Sequence, residues 1–436
     1  MSLRTGRRAA LLFLGLGLGL RAAAGAVPPE RTVLASGIPL VFQRDAASAV
    51  TVVALVAPGG RAAVPRGQDG LATLTTRLSL EIPDEEKVRD LMAQATRTSF
   101  VCAEDFSAVV VECLSENLEA ALKVTGRIVT SPLLSGLRVA RAKELLSLYA
   151  REEADDPASA AHAAVLAGFF GGVGVGSALY GTEESLKAVD RKDVQAFYRS
   201  RFVRSSVFFV AVSDLDPGTV RGLLEKSFSG FPAAAPAALA AAAPEPPADR
   251  DIRLNRDTER AFIGRAFPLP APSVRDHALG ALLETAIGRG PGSRLWRLRA
   301  EERLAYTVDS RLTWTRGGGV LEVFLETSAD KAGRAEEALD GVLERLRTDG
   351  LPAGELEAAK AMAAAGHLRA VEGKAARVRL LAGFEVLGLG FGHVAGLEGA
   401  LDAVSGEAVD AYIKSVLAPE RAIRIVVGPA GPAERK

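Results

Sequence analysis

The chain has 436 residues and 45.5 kDa, a length typical of two domains of about 200 residues each. Hydrophobic residues make up 48% and charged residues 24%, which excludes a globally disordered chain. Lys+Arg and Asp+Glu both number 53, so no charge excess indicates a nucleic-acid partner.

The N-terminus has the pattern of a secretory signal peptide. Basic residues precede an apolar run from Ala9 to Leu20, which is shorter than the about 20 residues that span a bilayer. Small residues at 24–26 predict cleavage after Ala26 and export to the periplasm; a retained membrane anchor is the alternative. Without residues 1–26, 49 basic side chains face 53 acidic ones, and this net charge of −4 indicates neither a membrane surface nor a polyanion as partner.

The two cysteines lie on two β-like runs, Thr98–Cys102 and Phe106–Cys113. A tight turn between the runs pairs Cys102 with about residue 107, so Cys113 lies several residues further along at roughly 3.3 Å per residue. Disulfides need Cα atoms within about 7 Å, so we expect two buried thiols. Two cysteines also exclude a Cys₄ zinc module.

An internal repeat is the most informative feature of the chain. Leu186–Val212 aligns without a gap to Leu401–Val427, at an offset of 215 residues. Each copy predicts a short helix that leads into a buried strand. The identical pairs include Leu186/Leu401, Ala188/Ala403, Val189/Val404, Val194/Val409, Ala196/Ala411, Ser200/Ser415 and Val212/Val427.

The segments upstream of each copy agree in order. Ser107–Leu114 predicts a strand that precedes an amphipathic helix, and Val320–Leu325 predicts another such strand and helix, the second helix ending at Gly350. Between the halves, Pro232–Arg250 has the proline and alanine content of a linker. The stretch 161–176 indicates no more than a helix end and a loop.

We therefore expect an α+β fold with two homologous domains, at 27–230 and 251–436, joined by a linker at 231–250. Each domain should be a mixed or antiparallel sheet with packed helices, because hairpins and long amphipathic helices occur together.

Several common catalytic motifs are absent from the sequence. The four histidines are far apart in sequence, so none of them forms a helical metal-binding pair. There is no Gly-x-Ser-x-Gly elbow and no P-loop, and the glycine clusters at 171–176 and 288–292 lack the dinucleotide-binding order. Taken alone, the residues predict no self-sufficient catalytic centre.

A family resemblance begins at residues 70–77, Gly-Leu-Ala-Thr-Leu-Thr-Thr-Arg, which follow a predicted strand at Val52–Val56. This segment resembles the inverted zinc motif Gly-x-Ala-His-x-x-Glu-His of the insulinase/pitrilysin metallopeptidases, which include the mitochondrial processing peptidases. Tyr180–Leu186 resembles the segment after the third zinc ligand, and residues 293–306 resemble the second-half signature. The resemblance runs along almost the whole chain after residue 26 and implies a processing-peptidase-like duplication.

The chain departs from this family at the metal site. Thr73 and Arg77 stand where the resemblance places the zinc-binding histidines, and Thr76 stands in place of the catalytic glutamate. Tyr149 or a neighbour stands in place of the third ligand, a glutamate. Threonine is a poor neutral zinc ligand and a guanidinium repels a cation, so we expect no zinc in this chain. Whether the charge of Arg77 replaces the metal is left open. Nearby carboxylates are Glu144, Glu152 and Glu153.

Arg299 and Tyr306 keep the spacing of a residue pair from the second half of active relatives. The resemblance implies that such a pair reaches across a closed chamber and hydrogen-bonds the substrate carbonyl at the zinc site of the facing half. Arg303 departs from the glycine that the family favours there. The alternative for Arg299 is a solvated side chain in a basic run.

The resemblance to family members that split the work between two chains implies a zinc-less, non-catalytic subunit of an exported heterodimeric zinc peptidase. The partner would be a similar-sized chain with His-x-x-Glu-His and the zinc, and the substrate a short or unfolded peptide. Two alternatives are a binding or assembly scaffold of the same fold and an independent peptidase with displaced ligands.

Overall fold

The computed structural model describes residues 27–82 and 85–429. The predicted signal peptide therefore lies outside the described residues. None of the helices described is long and apolar enough to cross a membrane.

The first half is built on a six-stranded sheet in the order β1-β2-β6-β3-β5-β4, in which β2 and β6 are parallel and all other neighbours antiparallel. Strand β3 is an almost continuous apolar run because it is central and covered on both faces. The elements are β1 (Glu30–Val33), β2 (Pro39–Arg44), β3 (Val50–Pro58), α1 (Leu71–Ser79), α2 (Glu85–Ala93), β4 (Arg97–Cys102), β5 (Phe106–Leu114), α3 (Leu118–Thr130), α4 (Gly136–Asp155), α5 (Pro157–Phe170), α6 (Glu183–Ala188), α7 (Arg191–Arg201), β6 (Phe208–Ser213) and α8 (Pro217–Ser227).

The second half repeats this plan with a five-stranded sheet in the order β7-β11-β8-β10-β9, in which β7 and β11 are parallel. The α+β fold with two similar sheets is thereby confirmed. The elements are β7 (Asp251–Asn255), β8 (Arg260–Leu269), α9 (Val274–Ile287), α10 (Trp296–Ala300), β9 (Thr307–Thr315), β10 (Gly318–Ser328), α11 (Ala332–Asp349), α12 (Ala353–Glu372), α13 (Lys374–Val386), α14 (His393–Asp402), α15 (Gly406–Val416) and β11 (Ile423–Gly428).

The structure confirms the repeat. Helix α7 and strand β6 match α15 and β11 at both ends when 215 is added to their residue numbers, so that Arg191 corresponds to Gly406 and Ser213 to Gly428. The predicted strands and helices upstream are also confirmed, as β5 with α3 and β10 with α11. The two halves therefore share the same order of these strands and helices.

Each half contributes one helix to the core of the other half. Helix α13 of the second half packs on β3, β5 and β6, where Val378, Leu381 and Phe384 join the core of the first sheet. Helix α5 of the first half packs in the same way on β8 and β11. The helix end and loop predicted at 161–176 therefore understate this segment, because helix α5 continues to Phe170 and is buried between the halves.

Polar contacts fix helix α13 in place. The Lys374 ammonium is buried and donates to the carbonyl oxygens of Asp45, Ser48 and Val50, each at 2.8 Å. One turn later, Arg377 Nη2 lies 2.6 Å from Asp45 Oδ2, and both side chains are buried. These contacts give the buried ammonium and guanidinium groups polar partners.

The segment at 231–250 has neither helix nor strand, and it packs against both halves. Glu245 N–H donates to the Phe169 carbonyl at 2.9 Å, and Arg201 Nη1 donates to the Ala237 carbonyl at 3.0 Å. A Cβ atom at Gly317 would lie 2.1 Å from the Ala242 carbonyl oxygen, so the β9–β10 turn accepts this segment because glycine leaves room.

The predicted pairing of the cysteine strands is confirmed. Cys102 on β4 lies opposite Ser107 on β5, and both thiols are free. Cys113 is buried, which raises the pKa of its thiol to about 11. Cys102 is partly exposed as a residue because β4 is an edge strand, but burial also raises the pKa of its thiol, so the expectation of two buried thiols holds fully for Cys113 and in part for Cys102.

The two hairpin turns of the halves meet at Asp105, whose Oδ2 accepts a hydrogen bond from Arg316 N–H at 2.8 Å. Burial, reinforced by the nearby charge of Glu104, raises the pKa of Asp105 from 3.8 to about 6. The folded state therefore binds the carboxyl proton of Asp105 more tightly than the unfolded state does. The stability that this protonated carboxyl contributes is lost as the pH rises from about 3.8 to about 6.

We expect Asp105→Asn to raise the free energy of unfolding at pH 7 by about 1–3 kcal/mol, because the amide keeps an acceptor for Arg316 without a buried charge. Denaturant titrations at pH 4.5 and pH 7.5 measure this, and the gain should shrink at the lower pH. Asp309→Asn, at a more exposed carboxylate, is the control. A gain independent of pH would contradict the assignment.

Candidate functional site

Helix α1 carries the segment that resembles a zinc motif. It begins after Gly70, which adopts a φ of 82°, and a Cβ atom there would lie 2.8 Å from Gly181 N. A glycine is therefore required by both the backbone angle and the close approach of the next loop. The helix is buried along most of its length and packs against α4 and α7.

The threonines of α1 are engaged within the protein. Thr73 Oγ1 donates to the Leu179 carbonyl at 2.6 Å, and Thr76 Oγ1 donates to the Ala72 carbonyl at 2.7 Å. Both residues are buried, whereas Arg77 is partly exposed. Two neutral hydroxyls committed to carbonyl groups and one guanidinium do not fit a zinc ion.

Tyr149 on α4 lies against another tyrosine, with its ring centroid 5.5 Å from that of Tyr180. The α4 carboxylate that faces inward is Glu153, which is partly buried and raises the pKa of the Tyr180 phenol by its charge, after the larger effect of burial. Burial raises the pKa of Glu153 itself, and the charges of Arg61 and His162 oppose this rise. Glu153 therefore lies near a guanidinium and an imidazole, and among the described residues it belongs to no group of three side chains that could hold a metal ion.

Arg61 is the buried cation near this carboxylate, and sequence reasoning missed it. Its Nη2 donates to the Ser177 carbonyl, and its Nη1 lies 3.9 Å from Glu104 Oε1. The signal that could have found Arg61 is its place directly after the Gly59-Gly60 turn, in which both residues have positive φ. Arg61 and Glu153 lie near each other, on two elements that both pack against helix α1.

Another ionisable pair links the halves beside this cluster. His162 Nδ1 on α5 lies 2.5 Å from Glu322 Oε2 on β10, and Glu322 is buried. Across residues 27–82 and 85–429, no group of three His, Cys, Asp or Glu side chains is arranged to hold a metal ion.

Arg299 and Tyr306 lie in the second half, separate from α1. Arg299 is exposed on α10, and its guanidinium carbon lies 4.8 Å from the Trp296 ring centroid. Tyr306 directly precedes β9 and is 53% exposed. In the part of the chain that the structure describes, no hydrogen bond, ion pair or ring contact joins either side chain to α1. Both side chains are exposed to solvent.

Arg303, between them, has a φ of 53°, in the left-handed region where glycine is favoured. The turn is held by Leu304 N–H, which donates to the Leu298 carbonyl at 2.8 Å. A left-handed conformation costs a non-glycine residue about 1–2 kcal/mol, so the departure from the family's glycine is a local strain and leaves the turn intact.

We expect Arg303→Gly to raise the free energy of unfolding by about 0.5–1 kcal/mol, because relief of this strain exceeds the added entropy of the unfolded chain. Thermal or denaturant unfolding measures the gain. Arg297→Gly, within helix α10, is the matched control and should cost about 1 kcal/mol. Destabilisation by both variants would show that Arg303 is unstrained.

Comparisons with known proteins agree with this fold. A family model described as "Peptidase M16 inactive domain" matches residues 188–363. An uncharacterized zinc protease of Mycobacterium bovis is 26% identical over 286 residues, which are 64% of this chain and 64% of that protein. The chain therefore matches less than two thirds of that relative's length.

Two solved structures share the fold along most of the chain. A peptidase M16 inactive domain from Pseudomonas fluorescens superposes with a TM-score of 0.84 at 18% identity, covering 93% of this chain and 98% of that one. A chain of Complex III2 from Candida albicans has a TM-score of 0.79 at 16% identity, covering 92% of this chain and 95% of that one.

Proposed function

We propose that this chain, a member of the peptidase M16 (insulinase/pitrilysin) metallopeptidase family without the His-x-x-Glu-His motif, is the zinc-less, non-catalytic subunit of an exported heterodimeric zinc peptidase. The partner would be a chain of similar size that carries the motif and the zinc. This subunit would supply Arg299, Tyr306 and half of a closed chamber for a short or unfolded peptide.

The observation that carries the proposal is the contrast between the two halves. In the first half, helix α1, which resembles a zinc-binding helix, still begins after a glycine. The hydroxyls of Thr73 and Thr76 on this helix are engaged with carbonyl groups. In the second half, Arg299 and Tyr306 remain exposed. A chain that has lost its own metal site and presents oxyanion-binding groups is suited to act on a partner's substrate.

One further observation supports a role in an assembly, and the chemistry of the exposed pair agrees with it. One solved structure with this fold is a chain of Complex III2, as its name states. A guanidinium and a phenol both hydrogen-bond an oxyanion, which is the charge that develops when water attacks a peptide carbonyl. The zinc that activates such a water would lie in the partner.

The test is an affinity purification of the tagged chain from the exported fraction of its native host, with identification of the co-purifying chains. A stoichiometric partner of similar size with His-x-x-Glu-His, together with zinc in the complex and none in the isolated chain, is the expected result. Recovery of this chain alone would favour the scaffold alternative. One tightly held zinc in the isolated chain would instead favour a peptidase with displaced ligands.

A further inference from the structure

Tyr306 lies at the end of the second sheet and is held unevenly. Its main-chain N–H donates to the Glu326 carbonyl at 2.8 Å, which ties the backbone to the end of β10. The residue is 53% exposed, and its ring packs against Arg260, whose guanidinium carbon lies 5.5 Å from the ring centroid. The backbone is therefore fixed, and the direction of the phenol depends on a neighbouring side chain.

The sheet brings Arg260 to this position from another strand. Arg260 begins β8 and pairs with Ser328 of β10, while Thr307 of β9 pairs with Glu326 of the same strand. Since β10 runs between β8 and β9, Arg260 and Tyr306 meet across the end of the central strand. Arg260 N–H also donates to Thr258 Oγ1 at 3.2 Å, which holds the turn before β8.

An open pocket of about 750 Å³ adjoins the ring of Tyr306. It leaves room for the ring to turn away, so a side chain that holds the ring decides where the phenol oxygen lies. Within residues 27–82 and 85–429, Arg260 forms no ion pair that would draw its charge elsewhere. The lining residues are Thr258, Glu259, Arg260, Tyr306, Ser328, Ala329 and Asp330.

We propose that Arg260 is a positioning residue for Tyr306: its guanidinium packs over the ring, directs the phenol out of the pocket and toward a bound substrate, and adds positive charge beside it. The inference rests on the proposed function. Cation–π contacts of this kind are typical of Arg over Tyr within about 6 Å of the ring centre. Because Arg260 acts through the ring, its effect should depend on the phenol.

The first test is a mutant cycle in the complex with the zinc-bearing partner. Arg260→Gln should lower kcat about 3- to 10-fold with little change in KM, and Arg260→Lys should restore part of the loss because it keeps the charge. In a Tyr306→Phe background, Arg260→Gln should have no further effect. Arg253→Gln, at an exposed arginine on β7, is the control and should behave as wild type.

The second test uses the isolated chain and needs no enzyme activity. The five tyrosines are replaced by 3-fluorotyrosine, and Tyr306→Phe identifies the ¹⁹F resonance of Tyr306. Arg260→Gln should shift and narrow that resonance while circular dichroism stays that of wild type, and Arg253→Gln should leave it in place.

The outcomes separate the two proposals. If Tyr306→Phe lowers activity but Arg260→Gln matches its control in both tests, the role of Arg260 is overturned and the proposed function stands. Additive effects in the mutant cycle would also overturn it, because Arg260 would then act independently of the phenol. If neither Arg299→Ala nor Tyr306→Phe affects the partner's activity, the proposed function itself fails.

Discussion

Arg299→Ala and Tyr306→Phe are each expected to lower the turnover of the partner's zinc site by about 10²–10³-fold, equivalent to about 2.7–4 kcal/mol of transition-state stabilisation. Both side chains are exposed in the second half and would meet the developing oxyanion. Because this charge forms in the transition state, the loss should fall on kcat more than on KM. The measurement is steady-state cleavage of a short peptide by the purified heterodimer.

Arg297→Ala is the matched control, because Arg297 is an exposed arginine on the same helix that pairs with Glu302 at 3.3 Å. Its activity should stay near that of wild type, and size-exclusion chromatography should show the heterodimer intact for all variants. Full activity of both Arg299→Ala and Tyr306→Phe would leave these residues without a catalytic role. Equal losses in all three variants would indicate a disturbed interface.

Asp45→Ala is expected to lower the free energy of unfolding by about 3–5 kcal/mol. The change leaves the buried Arg377 guanidinium without its carboxylate, and the remaining positive charge lies beside the buried Lys374 ammonium. Burial opposes ionisation of Asp45, but hydrogen bonds from Ala47 N–H and Arg377 hold the pKa of this carboxyl below its usual value. The contribution of Asp45 is thus present above pH 3.8 and is lost as the pH falls through its folded pKa.

Chemical denaturation at pH 7 measures this loss. Glu119→Ala removes one partner of an exposed ion pair with Lys226, at 2.5 Å, and should leave the free energy of unfolding nearly unchanged. The double variant Asp45→Leu/Arg377→Met should recover much of the stability of the wild type, because it removes the guanidinium together with its carboxylate, while the Lys374 ammonium keeps its three carbonyl partners. A loss from Asp45→Ala no larger than that from Glu119→Ala would show that the pair is not desolvated.

Elements with a one-sided apolar pattern could be predicted from the sequence. Helix α3 presents Leu118, Leu122 and Val129 to the core at helical spacing, and the repeat placed α7 and α15 by comparison of the two copies. Helices α5 and α13 gave no such signal, because both are covered by the two halves at once and carry apolar residues on several faces. Periodicity detects a boundary between core and solvent, which these helices lack.

The candidate site could be predicted from the sequence only in part. Helix α1 was singled out by its resemblance to a family motif, and the same resemblance proposes Arg299 and Tyr306, whose role stays a prediction. Arg61 was missed and Glu153 was named only as one of three nearby carboxylates, because the fold brings the two together from separate elements and no spacing in the sequence indicates their proximity. Arg260 was missed likewise, since it meets Tyr306 across a third strand.

The exchange of helices α5 and α13 has a consequence for how a peptide could enter the chamber of the proposed complex. Each half completes the apolar core of the other. Separating the halves would therefore expose two sheet faces and leave the charges of Lys374 and Arg377 without their partners. We therefore expect the two halves of this subunit to move together as one rigid body. In the proposed heterodimer, admission of a peptide would then require a hinge between the two chains, and the rate of capture would be set by how often the two chains separate rather than by flexing within this one.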